Sequence, residues 1–232
     1  PISGRTRLLA VIGSPVQHSL SPAIHNAAFD TGGLDWRFLA FDVPPGGAAA
    51  AVAALKTLGI AGYAVTMPHK TDMIGAVDEL DAVAGALRSV NTVALRADGS
   101  TLGTSTDGDG FVDSLRAQSV EVVGARVVVL GAGGAARSII DALGRAGVED
   151  LAIVNRTVEA AFDAARLAPM GRVGSTADIA NATLLVNATS VGMASDDCPV
   201  DTDLLHAGLA VADIVYHPLD TRLLRAARAA GA

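Results

Sequence analysis

Three polar residues that stand where a predicted strand meets a loop have the side chains needed to act on a hydroxyl group. Lys70 closes the segment AVTMPHK, Asn91 opens the predicted strand NTVAL, and Asp107 lies in STDG. Ligands of open α/β sheets bind at such strand ends. Lys70 and Asp107 can exchange a proton with a secondary alcohol, which must lose its hydroxyl proton when a hydride leaves. Each residue alone also fits a surface lysine, a turn residue or a helix cap, and the sequence leaves open which of the pair carries the proton.

The segment RVVVLGAGGAARS, residues 126–138, has the pattern of a nucleotide-binding turn between a strand and a helix. Gly131 permits a tight turn, Gly133 lets the backbone approach a pyrophosphate, and the small Ala136 allows close helix packing. The N–H groups at the start of the helix can bind phosphates. A tight turn without a ligand is the alternative, but the flanking strand and helix favour nucleotide binding.

The end of the next predicted strand indicates which nucleotide binds. A site for NAD has Asp or Glu there, to bind the ribose 2′-hydroxyl. Here the strand ends in Asn155, Arg156 and Thr157. A guanidinium can pair with the 2′-phosphate of NADP. The sequence therefore favours NADP (NADPH) as the cofactor, with a solvated structural arginine as the alternative for Arg156.

These residues are spread over a regular alternation of strand and helix patterns. Apolar runs predict strands at 8–13, 36–43, 62–67, 91–95, 126–131, 150–155, 183–188 and 209–216. Ala-rich segments of helical length lie between them, and one helix is predicted to have Ser21 as its cap and Pro22 as its first residue. This alternation is typical of a parallel sheet covered by helices, so the predicted fold class is α/β. The polar, Gly-rich stretch 104–111 predicts a boundary between two domains, 1–108 and 109–232.

Composition narrows the possible partners. The chain has 232 residues, a net charge of −7 and no block of Lys or Arg, which argues against nucleic acid and membrane surfaces. Its single cysteine, Cys198, cannot form an internal disulfide, which fits a reducing cytoplasm. No apolar run has transmembrane length, and the histidines lack metal-ligand spacing. We therefore expect a cytoplasmic protein that acts on a small molecule and holds no metal; the sequence does not distinguish a monomer from a homodimer.

Seven motifs in order resemble the signature of the shikimate dehydrogenase family: GSPVQHSLSPAIHN, VTMPHK, SVNTV, STDGDGF, GAGGAAR, NRT and NATSVGM. The resemblance implies reversible, NADP-linked reduction of 3-dehydroshikimate to shikimate in aromatic amino-acid biosynthesis. It also implies an N-terminal open α/β substrate domain and a Rossmann-type NADP-binding domain with a parallel sheet.

The resemblance implies roles for the residues that match the family's substrate motifs. Lys70 and Asp107 would be the catalytic pair. Ser19 and Ser21 would bind the substrate carboxylate, because hydroxyls at a helix N-terminus suit an anion. The remaining substrate contacts would be Thr66 and Asn91, on the ring hydroxyls, and Tyr216.

The cofactor residues follow from the same resemblance. The pyrophosphate would be bound by the glycine turn, which comprises Gly131, Ala132, Gly133, Gly134 and Ala135. Asn155, Arg156 and Thr157 would bind the adenosine 2′-phosphate. Thr189 would line the nucleotide, and Ile214 would lie near the nicotinamide.

The sequence departs from the family pattern at four places. Ala64 replaces the usual Asn or Ser, Ser105 replaces the Asn of N-T-D-G, and Ala160 replaces a second phosphate-binding arginine found in some members. Family members also continue into a strand and a G-x-x-M-L-x-x-Q-A helix that packs on the first domain, so we expect this segment to be missing here.

Other functions remain open on the sequence alone. A quinate or dual-specificity dehydrogenase would use NAD and would have Thr as the second hydroxyl residue of the first motif. Arg156 argues against the first feature and Ser21 against the second. A non-catalytic sensor of pathway ligands would have no need for both Lys70 and Asp107, although fold does not imply function. Another dehydrogenase with a similar nucleotide domain is disfavoured by the H-S-x-S-P and V-N-T motifs.

Overall fold

The chain forms two compact units in a computed structural model that describes residues 2–232. The first unit ends at Thr106 and the second spans Asp107–Ala232. Each unit has its own sheet, its own flanking helices and its own buried clusters.

The first unit contains a mixed six-stranded sheet with the order β2-β1-β3-β5-β6-β4. Its strands are β1 (Arg7–Gly13), β2 (Trp36–Asp42), β3 (Gly62–Val65), β4 (Glu79–Leu80), β5 (Thr92–Leu95) and β6 (Thr101–Thr104). Strand β1 pairs in parallel with β2 and β3, and β4 pairs in parallel with β6. Only β5 runs against its neighbours β3 and β6. The helices are α1 (Ser21–Thr31), α2 (Ala48–Thr57) and α3 (Ala82–Leu87).

The alternation of side chains along β1 explains why both faces of this sheet are covered. Ile12 is fully buried with Val52 and Leu55 of α2 on one face. Val11 is buried with Phe29 of α1 on the other face. Successive strand residues point to opposite faces, so both faces of this strand must be apolar. Complete burial of one such side chain contributes about 1.5–3 kcal/mol.

Helix α1 is attached to the edge strand β2 through one amide side chain. Asn26 Nδ2 donates to the Phe38 carbonyl at 2.9 Å, and Phe38 N–H donates to Asn26 Oδ1 at 2.9 Å. The His25 ring stacks on Phe38 with 4.2 Å between the ring centroids. Together these contacts fix α1 on the sheet, and with it the position of Ser21 at the start of the helix.

The second unit contains a five-stranded sheet in which every pair of neighbours is parallel. Its order is β11-β10-β7-β8-β9. The strands are β7 (Arg126–Leu130), β8 (Asp150–Val154), β9 (Gly171–Val173), β10 (Leu184–Asn187) and β11 (Ala210–Asp213). The helices are α4 (Asp107–Ala117), α5 (Gly134–Arg145), α6 (Val158–Ala165) and α7 (Arg222–Ala229). Helix α5 buries Ile139, Ile140 and Leu143.

The predicted α/β class is confirmed, and all eight predicted strands are present with different ends. The strand predicted to reach Met67 ends at Val65, because His69 N–H closes a turn on the Thr66 carbonyl at 3.1 Å. The strand predicted to reach Tyr216 ends at Asp213, whose own carboxylate accepts the Val215 N–H at 3.0 Å.

The predicted start of α1 is wrong by one residue. Ser21 is the first helical residue and not its cap, and Leu20 occupies the cap position without a side-chain hydrogen bond. The Ser21 hydroxyl is therefore not used to cap the helix.

Candidate active site

Five of the candidate substrate residues lie along one edge of the first sheet. This edge is formed by the carboxyl ends of β1, β2, β3 and β6 and by the amino end of the antiparallel β5. Ser19 and Ser21 follow β1, Thr66 and Lys70 follow β3, and Asn91 directly precedes β5. Residues that are far apart in the sequence are thus brought to a single edge by the strand directions.

Gly13 brings the first two motifs into contact. A Cβ at this position would overlap the methyl group of Thr66 and would lie 2.9 Å from the Met67 carbonyl oxygen. Ser14 N–H donates to that same carbonyl at 2.9 Å. Only glycine therefore allows the end of β1 to lie directly against the segment that carries Thr66 and Lys70.

The serine segment places two half-buried hydroxyls at the amino end of α1. Ser19 Oγ accepts the Ser21 N–H at 3.3 Å, and Gln17 Nε2 donates to Asp42 Oδ2 at 2.7 Å, which ties the segment to the end of β2. The amino end of a helix carries partial positive charge. Hydroxyl donors beside it form a suitable environment for a carboxylate.

The loop that carries Lys70 is held by buried hydrogen bonds. The Lys70 carbonyl accepts the Val90 N–H at 2.9 Å, next to Asn91. His69 is fully buried, and its Nε2 lies 2.7 Å from the Val43 carbonyl. A carbonyl oxygen can only accept, so His69 Nε2 carries the proton and donates it. These bonds fix the backbone on both sides of the half-buried Lys70 side chain.

Asn91 connects its own strand to the segment before Asp107. Its Oδ1 accepts the Thr106 N–H at 2.9 Å, and its Nδ2 lies 3.2 Å from Thr106 Oγ1. Its carbonyl accepts the Val65 N–H at 2.7 Å. Thr106 is a site residue that the sequence reasoning did not select, although it stands in the same STDG motif as Asp107.

Asp107 is the first residue of α4, where a carboxylate is stabilised by the helix dipole. The next residue, Gly108, packs so closely on α5 that a Cβ would overlap the Ser138 carbonyl. Arg145 of α5 also pairs with Asp109 at 2.7 Å. The backbone at Asp107 is thereby fixed to the second unit.

The second unit has a crevice where its chain reverses direction across the sheet. From β7 the chain proceeds outward to β8 and β9, and it then returns to β10 and β11 on the other side. Ligands of open parallel sheets bind at the carboxyl ends of the two strands that flank such a reversal. The flanking strands are β7, which leads into Gly131, and β10, which leads into Ala188 and Thr189.

The glycine turn has the form that a pyrophosphate requires. Gly131 has φ +108°, and a Cβ there would lie 2.9 Å from the Ala188 carbonyl oxygen. At Gly133 and Gly134 nothing lies within 4 Å of the position that a Cβ would take. No described side chain caps α5 at Gly133. The first N–H groups of a helix have no partner within it, so this open surface fits a phosphate group.

The residues after β8 form a tight turn that exposes a guanidinium. Asn155 Nδ2 donates to the Thr157 carbonyl at 2.9 Å and closes a tight turn. Arg156 is exposed on that turn and forms no ion pair with any residue in the described part of the chain. Its guanidinium can therefore bind an anionic ligand without the loss of an existing pair.

The other nucleotide candidates lie at the same edge of the second sheet. Thr189 follows β10 and is half-buried, and Ile214 follows β11 with its N–H donating to the Asn187 carbonyl at 3.1 Å. Tyr216 is exposed two residues later. Between residues 2 and 232 no group of His, Cys, Asp and Glu is arranged to hold a metal ion. None of the helices in that range has the length and apolar character needed to cross a membrane.

Comparisons with known proteins give one consistent family. Residues 11–93 match the family model of the shikimate dehydrogenase substrate binding domain, and residues 114–190 match that of shikimate / quinate 5-dehydrogenase. The chain is 46% identical to a shikimate dehydrogenase (NADP(+)) of Rubrobacter xylanophilus, over 99% of this chain and 84% of that protein.

Two solved structures extend the comparison. Shikimate 5-dehydrogenase from Thermus thermophilus, in complex with NADP(H) and shikimate, is 35% identical with a TM-score of 0.90, over 97% of this chain and 85% of that one. Quinate dehydrogenase from Corynebacterium glutamicum, in complex with NAD, is 30% identical with a TM-score of 0.88, over 97% and 86% of the two chains. The fold is therefore shared by enzymes that differ in both substrate and nucleotide.

Proposed function

Because the chain belongs to the shikimate dehydrogenase family, we propose that it catalyses the reversible, NADP-dependent reduction of 3-dehydroshikimate to shikimate. The observation that carries this proposal is the set of hydroxyl, amide and ammonium groups from three separate motifs along one edge of the first sheet. An all-parallel sheet with an open glycine turn accompanies it in the second unit. The hydroxyl, amide and ammonium groups of the first unit suit a polyhydroxy acid, and the parallel sheet with its glycine turn suits a dinucleotide.

In this mechanism the first unit binds and orients the substrate. Ser19 and Ser21 bind its carboxylate with the positive end of α1, while Thr66 and Asn91 hold ring hydroxyls. Asn91 is buried and hydrogen-bonded to Thr106, so its amide is held in place before the substrate binds. Tyr216 supplies a further substrate contact.

Lys70 and Asp107 deliver and remove the proton. NADPH, when bound, supplies the hydride that reduces the carbonyl carbon. The carbonyl oxygen gains a proton from the Lys70 and Asp107 pair as the new C–H bond forms, and the product is a secondary alcohol. In the reverse direction the pair takes that proton back. Lys70 and Asp107 exchange only a proton, so the protein itself is neither oxidised nor reduced.

The cofactor is held by the second unit. The backbone N–H groups of the glycine turn bind the pyrophosphate, and Asn155, Arg156 and Thr157 bind the 2′-phosphate. Thr189 lines the nucleotide, and Ile214 lies near the nicotinamide. Arg156 supports NADP over NAD, because an exposed guanidinium can form a bidentate pair with a phosphate.

The proposal also includes the division of labour and the setting. Residues 1–108 act as the substrate domain and residues 109–232 as the NADP domain. The reaction belongs to aromatic amino-acid biosynthesis in the cytoplasm, where the half-buried thiol of Cys198 stays reduced. The protein acts as a monomer or homodimer on small molecules, without nucleic acid or membrane.

The test is an initial-rate assay of nicotinamide reduction with shikimate or quinate, each combined with NADP⁺ or NAD⁺. We expect fast turnover only with shikimate and NADP⁺. Fast turnover with quinate and NAD⁺ would support the quinate branch, as in the NAD-bound structure from Corynebacterium. Absence of turnover in every combination, from a folded protein that still binds nucleotide, would support the non-catalytic sensor.

A further inference from the structure

Three strand ends of the first unit are connected through Val43, the residue that directly follows β2. Val43 N–H donates to the carbonyl of Gly13, the last residue of β1, at 3.0 Å. The Val43 carbonyl accepts the Nε2–H of His69 at 2.7 Å. His69 lies in the loop after β3 and directly precedes Lys70. Val43 thus connects the end of β1, where the serine segment begins, to the residue beside Lys70.

The His69 ring is enclosed, and its backbone is held on both sides. His69 has no exposed surface. Its N–H donates to the Thr66 carbonyl at 3.1 Å, and its carbonyl accepts the N–H of the fully buried Met73 at 3.0 Å. A displacement of the ring would therefore also displace the peptide group that joins His69 to Lys70.

Packing alone does not account for an imidazole at this position. The second ring nitrogen, Nδ1, is buried, and no residue in the described part of the chain forms a hydrogen bond with it. Asp72 Oδ2 lies 3.6 Å from Nδ1, which is beyond hydrogen-bond distance. Burial of a polar atom without a partner is unfavourable, and an apolar side chain would avoid it. What the imidazole adds is the hydrogen bond from Nε2 to the Val43 carbonyl.

We propose that His69 is a positioning residue for Lys70. Its Nε2–H holds the loop that carries Lys70 at a fixed place relative to the serine segment. A substrate whose carboxylate is bound by the serine segment then has its reacting oxygen within reach of the ammonium group. This inference rests on the proposed function, because it takes Lys70 to exchange the proton and the serines to bind the carboxylate.

The experiment compares His69→Gln with His69→Met by initial rates with shikimate and NADP⁺. The two new side chains have nearly the same length, and the glutamine Nε2 is as many bonds from the backbone as the histidine Nε2. Glutamine can therefore donate to the Val43 carbonyl, whereas methionine cannot. We expect kcat of His69→Gln to stay within about threefold of the natural value and kcat of His69→Met to fall about 10–100-fold, as for a misplaced reacting group.

The Michaelis constants and thermal unfolding separate positioning from support of the fold. In His69→Met the KM of shikimate should rise by a smaller factor than kcat falls, and the KM of NADP⁺ should stay unchanged. Rates are compared well below the lower of the two melting temperatures, so that both variants are folded. His206→Met is the matched control, because His206 Nε2 lies 3.1 Å from the Ile179 carbonyl in the second unit. It should keep the natural kcat.

Equal kcat in His69→Gln and His69→Met would overturn the inference. A fall of kcat in His206→Met as large as that in His69→Met would also overturn it, because loss of any imidazole-to-carbonyl bond would then have the same effect. If His69→Met does not fold, His69→Asn replaces it, since the asparagine amide is one bond shorter and does not reach the Val43 carbonyl. Natural kcat in His69→Asn, or failure of this variant to fold as well, would overturn the inference.

The natural protein keeps this test distinct from that of the proposed function. Absence of shikimate oxidation by the natural protein would overturn the proposed function, and this inference with it. Natural turnover together with equal rates in the glutamine and methionine variants would overturn the inference alone.

Discussion

At the scale of single residues, Lys70 carries the largest share of the proposed chemistry. Replacement by alanine should lower kcat by about 10²–10⁴-fold, the usual contribution of a general acid or base. The loop around Lys70 is held by the hydrogen bond from the Val90 N–H to the Lys70 carbonyl and by that from the His69 imidazole to the Val43 carbonyl. Neither bond involves the Lys70 side chain, so we expect the variant to fold. The measurement is the initial rate with shikimate and NADP⁺, together with the dissociation constant of NADP⁺, which should remain nearly unchanged.

Lys56→Ala provides the matched control, since Lys56 is the other lysine of the sequence and lies on the surface of α2. It should retain the natural turnover. Survival of turnover within a few-fold in Lys70→Ala would show that Lys70 is not the proton carrier.

We expect Arg156 to determine the preference between NADP⁺ and NAD⁺ at the residue scale. Arg156→Asp places a negative charge where the 2′-phosphate would bind, and we expect the dissociation constant of NADP⁺ to rise about tenfold or more. NAD⁺ has no such phosphate, so its affinity should stay the same or improve. Arg166→Asp, at an exposed position after α6, is the control for the change in net charge. Equal NADP⁺ affinity in the two variants would exclude a phosphate contact at Arg156.

The chemistry-bearing residues could be selected from the sequence because their types and local motifs are informative. Lys70 lies in the loop after β3, Asn91 directly precedes β5, and Asp107 begins α4 shortly after β6; their catalytic and binding roles stay predictions. Thr106 was missed because its role depends on a hydrogen bond to Asn91, fifteen positions earlier.

At the scale of elements, the turn between β7 and α5 contains one glycine that the fold requires and another that we expect ligand binding to require. Gly131→Ala should destabilise the second unit, because φ is +108° and the new Cβ would lie against the Ala188 carbonyl. Gly133→Ala should leave stability nearly unchanged, since φ is −75° and the surroundings are open, but it should weaken NADP⁺ binding. Thermal unfolding and NADP⁺ titration of the two variants test this. Normal NADP⁺ affinity in Gly133→Ala would contradict a pyrophosphate site at the turn.

Asp78, which directly precedes β4, links α2 to β6 in the first unit. Its Oδ2 accepts from Lys56 of α2 at 3.0 Å and from the N–H and hydroxyl of Thr101 in β6, both at 2.8 Å. The Lys56 hydrogen bond, followed by those from Thr101, lowers the pKa of Asp78 from 3.8 to about 2. A pKa lowered by folding means that the ionised form contributes stability above the unfolded value and that this contribution is lost as pH falls.

Asp78→Asn should therefore lower the urea midpoint at pH 7 and reduce the loss of stability between about pH 4 and pH 2. Urea unfolding of both proteins across this range is the measurement. Asp163→Asn, an exposed change on α6, should follow the natural protein at every pH. If the urea midpoints of Asp78→Asn and the natural protein changed with pH in parallel, the Asp78 carboxylate would not contribute to the pH dependence of stability.

Long apolar strands were predictable, but short ones were not. Strands β7 and β8 have buried runs that stand out in the sequence. Strand β4 has two residues and β9 has three, including an exposed arginine, so neither carries a pattern of its own. Strand β6 reads TLGT, and its glycine fits because Val90, Val77 and Leu80 close around it at 3.0–3.2 Å from a notional Cβ. Tertiary packing, rather than local propensity, determines these elements.

At the scale of the whole molecule, two units with separate cores should unfold as two transitions. A ligand stabilises most the unit that supplies most of its contacts, by about 2.7 kcal/mol at one hundred times its dissociation constant. We expect NADP⁺ to raise chiefly the melting temperature of one transition and shikimate chiefly that of the other in differential scanning calorimetry. The ligand 2′,5′-ADP should act as NADP⁺ does. A single transition raised by both ligands would contradict independent units.

The edge strand β2 carries a further consequence of the Asn26 contacts with Phe38. An unpaired outer edge exposes peptide groups to strands of other molecules, and β2 also has Leu39 and Phe41 on its exposed part. The Asn26 amide occupies both the N–H and the carbonyl of Phe38, in the middle of that edge. An incoming strand would have to displace α1 before it could pair along β2. The Asn26 side-chain amide thus protects this edge of the sheet from pairing with strands of other molecules.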